Sequence, residues 1–521
     1  LDEKDFHRSE RGLMVDAVGS MSMVTLQGGP FLAAFAIALG ASNYEIGLLA
    51  TIAFGSQLMQ LPGLMLVQKF PRRRGLTVLC AAASRLLWIF IILIPLLFIN
   101  RGTTFLMQWL VLAAAAGAMA GPAWNSLVRD IVPPQRMGQI FSRRMTLGTI
   151  SALLLTIGGG YFVDFWKAQF PDYALYAYAM LFALGLVFGL IGLVAISRIP
   201  EPQMPMDNKV PIWELLARPI KDPNFRGLLK YIAGWNFAIN LAGPFFIIYL
   251  LERIGLPLGM VTILVVTSQL TNIIFLRIWG KLADRYSNKS VLAVSSPLFL
   301  LAIFAWTFTT LPETHMLTLP LLFAIHILSG MAVAGVTLGS TNIALKLSPE
   351  GQAHAYLTAY GLAGAIAGAT APMLGGMLAD FFALREMQIP LQFKGPNGQV
   401  QFFAFSLRAL DFLFLLAVIL GIVALRFLKS VKEAGEVEGG VVREQLVNEA
   451  FGTFRAVSTM PGLRFLVGGP VSAIYRMTRV ANPLRKPPRA DEKTPDESDA
   501  IDEPDENEGP EDTGEPDPST D

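Results

Sequence analysis

Apolar residues in this chain come in long uninterrupted runs, not in the alternation of strands or the one-sided stripe of surface helices. Twelve such runs fall at about 13–40, 44–67, 75–99, 104–128, 144–166, 174–197, 226–251, 257–283, 289–311, 316–346, 355–383 and 404–428. A helix needs about 20 apolar residues to cross the hydrocarbon of a bilayer. A membrane barrel would need short segments alternating between apolar and polar, and these runs do not alternate. The pattern predicts an all-α polytopic membrane protein with twelve transmembrane helices, called spans 1–12 below.

Composition agrees. Hydrophobic residues make up 53% of the 521 residues and charged residues 16%, against about a quarter charged in soluble domains; the mean hydropathy is +0.50. Basic residues collect in alternate loops. Lys69, Arg72, Arg73 and Arg74 follow span 2, and Arg129, Arg136, Arg143 and Arg144 follow span 4. Arg198, Lys209, Arg218 and Lys221 follow span 6, and Lys281, Arg285 and Lys289 follow span 8. Lys/Arg-rich loops stay cytoplasmic, so both termini are expected inside and the protein in the cell (inner) membrane. Cys80 has no partner and reads as a small buried apolar residue. The chain opens on LDEKDFHRSER without an evident cleavable signal, and the missing initial Met suggests that residues precede it.

The expected organisation is a cytoplasmic N-terminus at 1–12, six helices over 13–197, a cytoplasmic linker at 198–225 and six more helices over 226–428. A basic juxtamembrane segment at 429–489 and an acidic tail at 490–521 follow. The linker is rich in proline, with a short surface helix expected at Ile212–Leu216. The juxtamembrane segment suits attraction to anionic lipid. The tail, with 15 acidic residues and one lysine from Asp491 onward, should be disordered. The two sets of six helices repeat one another. Gly29-Pro30-Phe31 matches Gly243-Pro244-Phe245, Ser56-Gln57-Leu58 matches Ser268-Gln269-Leu270, and Asn125 matches Asn342. Gly159-Gly160…Asp164 matches Gly375-Gly376…Asp380, and all four offsets lie between 212 and 217.

The loop Gly280-Lys281-Leu282-Ala283-Asp284-Arg285-Tyr286-Ser287-Asn288-Lys289 follows span 8. A glycine, an aspartate beside basic residues and a further lysine between two spans resemble the signature loop of the major facilitator superfamily. The chain looks like a bacterial permease of that superfamily with no substrate assigned. The resemblance implies two pseudo-symmetric six-helix halves rocking about a central site, with the loop as a cytoplasmic latch. Asp284 would then meet the N-terminus of span 5 or pair with Arg143 or Arg144, because a carboxylate is favoured there by free N–H groups and the helix dipole. Gly280 would allow close approach, and Lys281, Arg285 and Lys289 would complete the network. The first-half copy is altered: Gln68 stands where the aspartate is expected, and Asp130 is a candidate to replace part of the lost charge.

A polar group in lipid is costly and should point inward. Span 1 carries Asp16, Ser20, Met23 and Gln27 on one helical face. Span 7 offers Trp235, Asn236 and Asn240; spans 2 and 8 offer Gln57 with Gln60 and Gln269 with Asn272; spans 4 and 10 offer Asn125 and Asn342. These are the candidate substrate contacts, with helix–helix hydrogen bonding as the alternative. Arg85, at mid-depth in span 3, needs a partner: an anionic substrate group or a structural counter-charge. Asp16 and the central His326 are the candidates for carrying a coupling proton.

These features point to secondary or facilitative transport of a small molecule, without enzymatic chemistry or a cofactor. No Gly-x-x-x-x-Gly-Lys-Ser/Thr loop is present, which argues against an ATP-driven pump. Four scattered histidines and one cysteine do not suggest a metal site, and nothing suggests nucleic-acid binding. Span 5 lacks the proline of the Gly-Pro-x-x-Gly-Gly run that drug antiporters of the superfamily resemble one another in. The competing class is a receptor or assembly factor on the same fold, acting through a protein partner of the C-terminal extension.

Overall fold

The computed structural model describes residues 3–70, 72–201, 212–310, 313–349, 352–395 and 398–433, with Val442 and Gln445. The expected acidic tail, the central part of the linker and nearly all of the juxtamembrane segment lie outside the described residues.

Among the described residues, twelve helices are long and apolar enough to cross a membrane. They are span 1 Phe6–Ala38, span 2 Asn43–Val67, span 3 Arg73–Leu97, span 4 Ile99–Ile131, span 5 Arg136–Gln169 and span 6 Pro171–Ser197. The later six are span 7 Pro223–Arg253, span 8 Leu258–Arg285, span 9 Asn288–Trp306, span 10 Thr318–Lys346, span 11 Ala355–Phe382 and span 12 Leu410–Lys429. Span 1 starts earlier than hydropathy predicts: its helix begins at Glu3, so the expected N-terminal tail is mostly helical. Span 1 breaks at Gly28-Gly29, where Gly29 has φ +50, a value a side chain would oppose, and Pro30 restarts the helix.

The repeat seen in the sequence reappears in the packing. Span 1 lies on spans 5 and 6, span 3 on spans 4 and 6, and span 2 on span 4. Span 7 lies on spans 11 and 12, span 9 on spans 10 and 12, and span 8 on span 10. The first six spans meet the last six mainly along two lines, span 2 with span 11 and span 5 with span 8. Lipid gives helices no hydrophobic reason to associate, so small residues and close backbone approach carry much of the packing. A Cβ at Gly19 would stand 2.6 Å from the Phe188 carbonyl and 3.0 Å from the Gly192 nitrogen, so spans 1 and 6 touch backbone to backbone. Aromatic clusters fill the wider gaps, with Phe35, Trp88 and Phe182 in the first set and Phe246, Tyr249, Trp306 and Phe414 in the second.

The all-α expectation needs one correction. Between spans 11 and 12, Glu386–Gly395 and Gly398–Arg408 pair as an antiparallel hairpin, with a bulge between Ile389 and Pro390. Proline lacks an N–H to donate to the ladder, which makes a bulge its natural place in a strand. The Glu386–Arg408 ion pair closes the base.

Candidate functional site

Two aspartates close the bundle at the end where spans 2 and 8 begin, called here the capped end. Asp164, near the end of span 5, accepts hydrogen bonds from the backbone N–H groups of Leu258 (3.0 Å) and Gly259 (2.6 Å) at the start of span 8. Asp380, near the end of span 11, accepts from the Asn43 side-chain amide (2.9 Å) and the Tyr44 backbone N–H (3.1 Å) at the start of span 2. A helix begins with four N–H groups that lack an internal partner and carries positive partial charge, so each carboxylate satisfies the helix it meets. Each bond joins the first six spans to the last six. Glycines bring the backbones this close: a Cβ at Gly47 would stand 2.3 Å from the Pro372 carbonyl, and one at Gly160 2.3 Å from the Thr262 hydroxyl. Thr51 adds a hydrogen bond across the same seam, to the Ala369 carbonyl at 2.8 Å.

The opposite end, which carries the 280–289 loop, is built differently. Asp284 is exposed and makes no hydrogen bond or ion pair among the described residues. Its expected partners are engaged elsewhere: Arg143 lies 3.4 Å from Glu10, and Arg144 donates to Asp16 at 3.1 Å. A Cβ at Gly280 would meet Leu338 at 4.0 Å, so no close backbone approach is made there, and Arg285 lies over the Tyr286 ring.

Charges at this end instead brace each six-span set within itself, twice in the same way. Glu201, after span 6, accepts from the Arg74 backbone N–H at the start of span 3 (2.9 Å). Glu433, after span 12, accepts from the Lys289 backbone N–H at the start of span 9 (2.7 Å), from the Asn288 amide (3.0 Å) and from Lys346 (3.0 Å). Burial alone would raise the Glu433 carboxyl, but these donors outweigh it and hold the group below the ordinary glutamate range. Asp130 pairs with Arg73, so it does supply an acid to the altered first loop. Sequence reasoning missed Glu201, Glu433 and Arg73, whose partners are remote in the chain.

The candidate contacts divide. Gln57, Gln60, Asn125, Gln269 and Asn342 are exposed, although all stand within spans. Asn236 and Asn240 are half-buried and donate to the carbonyls of Ile232 and Asn236, one turn back; Asn272 is half-buried and reaches the Gly330 carbonyl at 3.4 Å. The remainder are interior. The span 1 face is directed at span 6, whose Gly185, Gly189 and Gly192 lie against Gln27, Met23 and Asp16. Gln27 donates to the Phe182 carbonyl at 3.0 Å. Trp235 is 5% exposed, between Tyr231 and Phe299. His326 is buried against Trp306, with Nδ1 2.8 Å from the Leu322 carbonyl. Periodicity groups residues on a face but does not say which neighbour that face meets. Arg85 has a partner: its Nη2 donates to Ser20 (3.1 Å) and lies 4.0 Å from Asp16.

Twelve spans in two repeated sets, joined by paired seams at one end and with polar side chains exposed along the spans, define a membrane transporter. The sequence profile described as Major Facilitator Superfamily matches residues 17–372 and 236–475, and the chain belongs to that superfamily. It is therefore an integral multi-pass membrane protein and a transporter of a small molecule, not an enzyme. Among curated proteins no relative matches. Solved structures share the fold. A variant of the nucleoside transporter NupG aligns with TM-score 0.60 and 14% identity over 81% of this chain and 100% of its own. A bacterial homologue of the human lysosomal transporter Spinster, inward-facing and occupied, gives 0.57 and 14% over 82% and 98%. A bacterial homologue of the iron transporter ferroportin, inward-facing, gives 0.54 and 15% over 83% and 100%.

Proposed function

We propose that this chain moves its cargo by alternating access, with the six-helix halves 13–197 and 226–428 rocking about the linker 198–225. The observation that supports the reading is the asymmetry of the ends: two carboxylate caps join the halves at one end, while Asp284 has no partner among the described residues at the other. An aspartate disengaged in the loop at one end while the opposite gate is shut is what a reciprocal pair of gates requires. With the basic loops inside, both termini are cytoplasmic and this state opens to the cytoplasm. In the outward-open state Asp284, with Gly280, Lys281, Arg285 and Lys289, would engage span 5 near Arg143 and Arg144. The membrane would be the cell (inner) membrane. The basic segment 429–489 would be attracted to anionic lipid.

The cargo would meet Gln57, Gln60, Asn125, Asn236, Asn240, Gln269, Asn272 and Asn342. Amides donate and accept, so they suit a polar molecule, and the fold does not choose among cargoes: the neighbours above are described as a nucleoside transporter and as homologues of a lysosomal and of an iron transporter. If a proton drives transport, Asp16 and His326 are the candidates to carry it. Uptake of a binding ligand into proteoliposomes, with and without a pH gradient, tests the whole reading. A bound ligand that never enters the vesicles would contradict transport, and uptake indifferent to the gradient in both Asp16→Asn and wild type would remove the proton.

A further inference from the structure

We propose that the cargo carries an anionic group, a carboxylate or a phosphate, recognised by Arg144; this rests on the transport reading above. One carboxylate, Asp16, stands between two guanidiniums. Arg144 donates to its Oδ2 at 3.1 Å, and Arg85 reaches it through Ser20, which itself donates to Oδ1 at 2.8 Å. Asp16 is 2% exposed and Arg85 7%. Two cations against one anion leave an excess positive charge inside the protein. Burying charge is costly unless it is paired, and the donors are not used up: Arg85 Nη1 and Arg144 Nε are both buried without a hydrogen-bond partner among the described residues. A buried water could satisfy an N–H but would not neutralise the charge.

Packing alone does not require this cluster, because the other half fills the same place with neutral groups. Where spans 1 and 3 meet through Asp16, Ser20 and Arg85, the corresponding spans 7 and 9 meet through a buried hydroxyl pair, Tyr231 and Ser296 at 2.9 Å. By the repeat that relates Asp164 to Asp380, Arg144 corresponds to Tyr360. The ionic version is therefore specific to the first half.

Of the two arginines, Arg144 is the one a ligand can reach. Its side chain is 19% exposed, and its guanidinium lies 4.4 Å over the Trp124 ring. A guanidinium fixed on an aromatic face, with Asp16 orienting one edge, presents its planar fork with little further loss of freedom, and that fork matches carboxylate and phosphate oxygens. The acids nearby are already engaged: Glu10 with Arg143 and Asp130 with Arg73.

The test is thermal melting of the purified full chain with matched probe pairs: benzoate and benzamide, succinate and succinamide, glycerol 3-phosphate and glycerol, and inorganic phosphate alone. Stabilisation by the anionic members only, lost in Arg144→Gln, weakened about tenfold or more in Arg144→Lys and kept in Arg136→Gln, is the expected result; which anions act separates carboxylate from phosphate. Arg144→Lys retains the charge and guards against a folding defect. Equal stabilisation by the neutral members, no stabilisation by any anion, or full binding in Arg144→Gln overturns the proposal. An anion that binds through Arg144 but is never taken up by proteoliposomes would instead contradict transport and leave the anion site standing.

Discussion

Asp164 and Asp380 stand 216 positions apart in the repeat, and each caps the first turn of a helix belonging to the other set of six spans. The same carboxylate-to-helix bond is thus used twice across the two lines where the sets meet. A bond of this kind forms and breaks as a unit, which suits a gate better than a broad apolar contact does.

Replacing either aspartate with asparagine keeps the shape and removes the charge. A carboxylate at a helix N-terminus is worth about 0.3–2 kcal/mol, so each change should loosen the capped end by about twofold to thirtyfold in population. In a Cys80→Ser background, a cysteine at Gln57 should react faster with a membrane-impermeant maleimide applied from the capped side. An unchanged rate in both variants would mean the caps do not hold the gate.

Glycine at the seam gives an independent handle. Gly47→Ala and Gly160→Ala place a methyl group within 2.3 Å of atoms across the interface, and such overpacking costs about 1–3 kcal/mol. Both should lower thermal stability and open the capped end. Gly121→Ala has nothing within 4 Å of the new carbon and should be neutral or stabilising by up to about 1 kcal/mol. If all three variants melt alike, close backbone approach is not what limits the seam.

Asp284 makes no bond among the described residues in this state, so Asp284→Asn should shift stability by no more than about 0.5 kcal/mol. Uptake should nonetheless fall, because the outward-open state would lose its latch. A clear drop in melting temperature with normal uptake would reverse the assignment.

Glu433 ties span 9 and span 10 together from beyond span 12. Its folded carboxyl lies below the ordinary glutamate value of about 4.3, so its contribution is fully present above that value. It fades as pH falls toward the folded one. Glu433→Gln should cost about 1–3 kcal/mol at pH 7 and flatten the acid side of a stability curve taken from pH 7 to 3.5. A mutant curve parallel to wild type over that range would show that the carboxylate is not ionised in the native state.

What the sequence reveals here follows from what a local pattern can carry. Hydropathy places all twelve spans, since the bilayer sets their length, and the offsets of Gly159-Gly160…Asp164 and Gly375-Gly376…Asp380 give the repeat. That these two aspartates are caps depends on Leu258 and Tyr44, nearly a hundred and more than three hundred residues away. The Asp16–Gln27 stripe is on one face as periodicity predicts, yet the glycines of span 6 decide that the face is interior. The hairpin is not anticipated, because its second strand runs into the apolar start expected for span 12 at 404.

The central claim is that the two ends open reciprocally, and pulsed electron–electron distances test it most directly. Spin labels would go at Tyr173 and Met316, exposed at the capped end, and at Arg129 and Leu345, exposed at the other, with Cys80 replaced. The account predicts one short distance at the capped end in the wild type. In the Asp164→Asn, Asp380→Asn double variant a second, longer distance should join it, with a matching shorter distance between Arg129 and Leu345. Distances that stay fixed in the double variant, or a capped end that opens while the other end does not close, would contradict alternating access.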